Sequence, residues 1–415
     1  HMRSDVPVGA FLSSGIDSTA VVALAREVNP RIQTFTVGYD ADGYSELGLA
    51  EQTARELGVS IESATIGPEQ MMEALPRIIW YLDDPVADPS AVPLYFLART
   101  AARRVTVALS GEGADELFGG YTIYREPRSL APVAVLPRPL RRGLLRLARV
   151  LPEGLKGRSF LERGATPIWQ RYYGNARMFT EAEKQQLLRG YDPAVRYTDV
   201  TRSAFAQAAA EGLDEITAMQ YVDLNTWLRG DILVKADRMS MAHSLELRVP
   251  YLDPGVFAAA ATVPVDLRLP PRSHKTKHAL REALRGVVPP SVVDRRKLGF
   301  PTPTRLWLAG EMYDWAHEMI AGSGAGQLLD LAYAHTLLEE HRSGRVDLSR
   351  KVWTVLAFCV WHAIFVTGTL DPGVESAATG ATGGGSATGG TGSGPAGEFR
   401  VAAAHRDQRG VQAEG

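Results

Sequence analysis

The sequence predicts an open, mostly parallel α/β sheet followed by a mainly helical part. Apolar strand patterns and helix patterns alternate from Val6 to Leu109. Glycine-rich turns stand where two of the strands give way to helices, and beyond Tyr121 helices and loops run to Thr369. Such alternation packs helices over a parallel sheet.

The elements follow in order. Val6 to Leu12 (VPVGAFL) reads as a strand, and Ser18 to Glu27 after its Ser-Gly turn as a helix. Ile32 to Val37 is a second strand. Tyr44 to Leu57 is an amphipathic helix, with Leu47, Ala50, Ala54 and Leu57 spaced by three and four. Ile61 to Ile66 is a weak third strand, Glu69 to Leu82 a helix, and DDPVADPSAVP a Pro-rich connection. Leu94 to Ala102 is a further helix and Val105 to Leu109 a buried strand. The α/β part thus covers about 5–125 and the helical part about 126–370. Within the latter, residues 125–163 carry ten Arg or Lys against three Glu. Basic and apolar residues interleave there at helical spacing, which reads as a solvated helical surface rather than an RNA-binding one. Residues 376–397 contain only Ser, Ala, Thr, Gly and Pro, so 371–415 is expected to be a disordered tail.

Composition narrows the function. The chain has 415 residues, 45% hydrophobic and 22% charged, with a formal net charge of −2. This excludes a strongly basic nucleic-acid platform and an acidic solvating chain. A single cysteine, Cys359, excludes a disulfide framework and a cysteine zinc site. No stretch is long and apolar enough for a membrane span, and no signal-peptide pattern is read. A reducing, cytoplasmic setting is the expectation, with no nucleic-acid or membrane partner.

Chemistry concentrates in two loops. Leu12-Ser13-Ser14-Gly15-Ile16-Asp17-Ser18 joins the first strand to its helix. Small residues let the backbone approach a ligand, Gly15 permits unusual φ values, and a helix N-terminus attracts phosphate oxygens. The bland alternative is a plain turn with Asp17 or Ser18 as helix cap. Neither G-x-x-x-x-G-K-[ST] nor G-x-G-x-x-G is present. The second loop, Ser110-Gly111-Glu112-Gly113-Ala114-Asp115-Glu116-Leu117-Phe118-Gly119-Gly120-Tyr121, puts three carboxylates and four glycines at a strand's carboxyl end. Open α/β sheets bind ligands there.

The first loop resembles the S-G-G-x-D-S pyrophosphate loop of the ATP-pyrophosphatase (PP-loop) superfamily through Ser13, Gly15, Asp17 and Ser18, with Ser14 where the pattern often has Gly. The second resembles the S-G-E-G-[AS]-D-E-x-F-G-G-Y signature of asparagine synthetases. Two further runs resemble the same family, Lys235 to Asp253 (KADRMSMAHSLELRVPYLD) and Arg296 to Pro301 (RKLGFP). The matches stand in family order and span residues 5 to about 365, so 1–370 is read as one synthetase domain. The family's N-terminal glutaminase domain, with its N-terminal cysteine nucleophile, is expected to be absent.

The resemblance implies ATP-dependent amidation of aspartate through β-aspartyl-AMP, with ATP as co-substrate, Mg²⁺ on the polyphosphate and ammonia as nitrogen donor. Glutamine would serve only with a glutaminase domain in cis or in trans, and a homodimer is left open. It implies that Ser13, Ser14, Gly15, Asp17 and Ser18 hold phosphates, and that Leu12, Val37, Ser110 and Gly111 line the adenosine. Glu112 is linked to forming and using the acyl-adenylate. Asp17 and Asp115 are metal partners. Asp115 and Glu116 face the substrate's α-amino group, and Asp237 is a further substrate residue. Lys297, in the basic run RRKLGF, is expected to stabilise the α-phosphate, the alternative being a solvated surface lysine. Asp237 and Arg238 could instead tie the helical lobe to the sheet, and Glu246 and Arg248 are expected to form an interface ion pair. His243 and His362 are expected to satisfy local hydrogen bonds. The alternatives are a related adenylating cyclase, such as a β-lactam synthetase or a peptide cyclase, and a non-catalytic scaffold.

Overall fold

The computed structural model describes residues 1–41, 43–152, 155–174, 178–295 and 302–374. Lys297 and residues 375–415 of the expected tail lie outside the described residues.

Five parallel strands form one sheet in the order β3-β2-β1-β4-β5. They are β1 (Val8–Phe11), β2 (Gln33–Tyr39), β3 (Ser60–Ile66), β4 (Val107–Leu109) and β5 (Glu246–Arg248). The register pairs Gly9 with Gln33, Val8 with Val107, and Val107 with Glu246. The helices α1 (Ile16–Val28), α2 (Leu47–Leu57), α3 (Pro68–Leu82) and α4 (Ala91–Ala102) connect the first four strands. Gly58, at φ 64°, ends α2 in the left-handed conformation that glycine adopts without penalty. β3 is not weak: all seven of its residues pair with β2. The expected elements are otherwise recovered to within a few residues, and β5 was not foreseen.

Apolar residues cover both faces of the sheet, as a parallel sheet requires. One core joins α3 and α4 to the C-terminal helices and includes Met71, Ile78, Trp307, Leu338 and Leu356. Trp307 is fully buried and meets the Tyr39 ring edge-on at 5.9 Å. The other core joins α1 to Tyr251, Leu280 and Val292. A third, around Tyr124, Tyr172, Phe205 and Met219, lies in the helical part. No helix among the described residues is long and apolar enough to cross a membrane.

The chain runs outward from β1 through β2 to β3, then returns to place β4 on the other side of β1. The sheet's switch point therefore lies between β1 and β4. Ligand crevices of open α/β sheets form there, outside the strands' carboxyl ends. Both candidate loops follow these two strands.

Candidate active site

The loop after β1 delivers the N-terminus of α1. Gly15 is its N-cap, and no side chain caps the helix, so neither Asp17 nor Ser18 plays that part. Gly15 sits at φ −81°, ψ 153°, so extended backbone suffices and the expected unusual φ is not used. The hydroxyls of Ser13 and Ser18 lie 2.9 Å apart, and Ser18 Oγ accepts from the Ser13 amide at 3.0 Å. Ser14 Oγ donates to Glu46 Oε2 at 2.6 Å, and Arg295 Nη1 donates to the Ser14 carbonyl at 3.1 Å. These contacts set the loop's shape and leave the positive end of α1 facing the crevice.

The loop after β4 must pass very close to α1. A Cβ at Gly111 would stand 3.0 Å from the Ser18 amide nitrogen and 3.1 Å from the Asp17 Cβ, so only glycine fits without a shift. Gly113, at φ 89°, then starts the short helix α5 (Ala114–Phe118). Together the loops line a cleft of about 350 Å³. Leu12, Ser13, Ser14, Gly15, Asp17, Ser18, Val37, Ser110, Gly111, Glu112 and Asp115 all border it.

Its charges are organised by two lysines that the sequence reading passed over. Lys277, 2% exposed, forms ion pairs with Asp17 and, at 2.8 Å, with Asp115. Burial alone would strip its charge, but Asp115 and Asp17 outweigh this and hold the ammonium above the usual lysine range. Lys277 occupies the left-handed region at φ 55°, ψ 37°, which disfavours an L-residue by about 1–2 kcal/mol. Such an outlier at a charged cleft points to a functional constraint. A Cβ at Gly120 would collide with the Asp115 carboxylate and Lys277 Cε, so this glycine makes room for the pair.

Lys235 also borders the cleft, and is paired with Asp231 at 2.9 Å and with Asp88. Asp88 and Asp231 line a second cavity of about 1240 Å³, with Ser90 shared between the two. The Asp88–Lys235–Asp231 cluster thus forms part of the wall between them. Burial pushes the Asp231 carboxyl up to about 7, with Asp88 adding and Lys235 opposing. Burial likewise pushes Glu112 up to about 7; Lys235 opposes this, while Glu116, Asp115 and Asp17 add to it.

Glu116 does not border the cleft. It is buried, and Tyr121 Oη donates to it at 2.6 Å. Asp237 is exposed on the Leu233–Met241 helix, as is Arg238, and neither lines the cleft; Lys235, one turn away at most, does. Glu246 and Arg248 pair at 2.7 Å along β5, and Arg248 also donates to the carbonyls of His1 and Arg3. His362 contacts the Ser323 carbonyl at 2.8 Å, and His243 packs on the Tyr95 ring.

Mg²⁺ is a hard cation that takes oxygen ligands. Asp17 and Asp115 supply such oxygens and already converge on one cation, the Lys277 ammonium. The described residues hold no group of three or more His, Cys, Asp or Glu fit for a metal. Two carboxylates completed by ligand phosphates suit Mg²⁺, which is seldom held by an all-protein cage.

A parallel sheet that brings an uncapped helix N-terminus and a carboxylate loop together at its switch point is an open α/β domain with its ligand crevice between those loops. The asparagine synthase family profile matches residues 1–363, and the chain belongs to that family. It is 52% identical over 364 residues to glutamine-hydrolyzing asparagine synthetase 1 of Bacillus subtilis, covering 88% of this chain and 57% of the relative. It is 25% identical over 317 residues to glutamine-hydrolyzing asparagine synthetase 3 of the same organism, covering 72% and 46%. Amidase chyE of Penicillium rubens is 26% identical over 368 residues, covering 77% and 53%. The chain thus spans about half the length of these relatives.

Proposed function

We propose that this chain uses ATP to activate the β-carboxylate of aspartate and transfers ammonia to it, giving asparagine, AMP and pyrophosphate. The observation that carries this reading is the meeting of an anion cradle and a half-buried carboxylate, Glu112, across one cleft. A carboxylate resists amines because oxide is a poor leaving group. Attack of its oxygen on the α-phosphorus of ATP expels pyrophosphate and leaves β-aspartyl-AMP. Ammonia then adds to the acyl carbon, AMP departs with the C–O electron pair, and one proton is released.

Each residue's part follows from its chemistry. The α1 N-terminus and the Ser13 and Ser18 hydroxyls hold phosphate oxygens where negative charge builds up. Leu12 and Val37 give the adenosine an apolar wall, with Ser110 and Gly111 at the ribose. Lys277 offers its ammonium to the departing pyrophosphate. Asp17 and Asp115 would hold Mg²⁺, which when bound neutralises polyphosphate charge. Glu112, titrating near neutrality, accepts the proton from the attacking nitrogen. Asp115 and Glu116 set the negative potential that an α-ammonium seeks. Lys297 takes the α-phosphate, and Asp237 reaches substrate only from outside the cleft wall. Ammonia is the nucleophile that meets the acyl-adenylate in this cleft, whether it arrives free or is released from glutamine elsewhere. The chain's one cysteine, Cys359, is buried in the Ser349–Phe365 helix and pushed up to about 11 by burial, which suits packing rather than glutamine hydrolysis.

ATP–pyrophosphate exchange with and without aspartate tests the reading. Exchange that requires aspartate, with ammonium-dependent asparagine formation, is the expected result. Exchange without any added acid, or none at all, overturns it.

A further inference from the structure

The basic segment expected to be a solvated surface is not uniformly polar once folded. Six large hydrophobic side chains of residues 135–160 remain exposed: Val135, Leu140, Leu147, Val150, Leu155 and Phe160. Three of them stand on the Arg138–Val150 helix, where Leu140 is 57%, Leu147 49% and Val150 78% exposed. Leu140, Leu144, Leu147 and Leu151 follow one another at intervals of four, three and four, so they fall in one stripe. The helix's contact with the Arg158–Ala165 helix lies elsewhere, since Ala148, about a quarter-turn from the stripe, is fully buried. Arg138, Arg142 and Arg146 are exposed on the same helix. No acidic residue occurs anywhere between Glu126 and Glu153.

A partly exposed leucine stripe with arginines on the opposite side of the same helix has one occupant whose chemistry matches both. A second copy of the chain would bring this helix's arginines against arginines, since residues 138–150 carry no carboxylate. A nucleic acid would engage the arginines and leave the leucines in water. An anionic bilayer takes the apolar stripe at its acyl boundary and the guanidinium groups at its headgroups, the combination of two signals that holds an interfacial helix. We propose that the Arg138–Val150 helix, with Leu155 and Phe160 beside it, is a contact surface for anionic membranes. It is independent of the amidation chemistry proposed above.

Sedimentation of the full chain with phosphatidylcholine–phosphatidylglycerol vesicles, against phosphatidylcholine alone, tests this. Binding should favour the anionic vesicles and weaken with added salt. L140E/L147E and R142E/R146E should each lower partition by at least about tenfold. Circular dichroism melts should stay unchanged, because all four side chains are exposed. Absence of binding to the anionic vesicles overturns the proposal, as does binding that both variants retain. A dimer, seen by light scattering, that L147E dissociates would assign the stripe to self-association instead, and overturn it as well. None of these readouts depends on aspartate or ATP, so the proposal stands or falls apart from the enzymatic reading.

Discussion

Glu112→Gln should make the protein more stable and less active, and the stability gain should depend on pH in a defined sense. The Glu112 carboxyl is held up at about 7 against an ordinary 4.5, first by burial and then by three neighbouring carboxylates, with Lys235 opposing. A carboxyl raised in the folded state favours the fold while protonated and loses that advantage as pH rises through its folded value. One unit corresponds to about 1.4 kcal/mol, so ionised Glu112 disfavours the native state by at most about 3 kcal/mol above neutrality. Its remaining contact with cleft water lowers that figure. Glutamine has the same shape and no charge. The variant should therefore be stabilised by up to about 3 kcal/mol at pH 8 and by less than about 1 kcal/mol at pH 5. Urea unfolding of both proteins at the two pH values measures this. In parallel, the variant should lose ammonia-dependent asparagine formation more than aspartate-dependent pyrophosphate release. Equal stability at both pH values would refute the desolvated, titrating Glu112. Equal loss of the two products would refute its role as proton acceptor and place it in adenylation.

Two further outcomes follow from the same cleft, and a third from the sequence. Lys277→Met leaves Asp17 and Asp115 facing each other, and breaking a buried pair in this way costs about 3–5 kcal/mol, reduced here by the partial exposure of both carboxylates; thermal melts should fall and Mg²⁺ should restore part of the loss. Gly120→Ala inserts a methyl into the Asp115–Lys277 contact, so about 1–3 kcal/mol of stability and most pyrophosphate exchange should be lost; a melt identical to the parent would contradict the close packing. Lys297→Ala should slow pyrophosphate release by about 10²–10³ if a cation there meets the α-phosphate; normal release removes Lys297 from the reaction.

What the sequence made legible depended on how local the cause was. β1, β2 and β4 and the helices around them were readable because burial writes apolar-rich runs between turn signals, whereas β3, with only Ile66 buried, reads weakly. β5 was not, since Glu246-Leu247-Arg248 is three residues long with a single apolar one. Both site loops were legible through their density of glycines and carboxylates, and of the described candidate residues all but Glu116 and Asp237 line the cleft. Lys277 and Lys235 escaped because their meaning is non-local. Lys277 meets Asp17 across 260 residues and Lys235 meets Asp88 across 147. No spacing rule spans such gaps. The one local sign, a lysine held in a left-handed conformation, exists only in the folded backbone.

The late arrival of β5 has a consequence for how the protein is made. β4 ends at Leu109, and its neighbour in the sheet begins at Glu246, after about half of the helical part has been translated. Lys277 lies later still. On the ribosome, the first 125 residues emerge with one sheet edge unpaired and with the Asp17 and Asp115 carboxylates lacking their shared cation. The α/β portion therefore cannot mature as an independent nascent unit. Contacts of such high sequence separation slow folding and leave an open edge exposed while synthesis continues. Expression should consequently respond to chaperone supply and growth temperature more than to codon choice in the first strands, and a fragment ending near residue 125 should aggregate rather than fold.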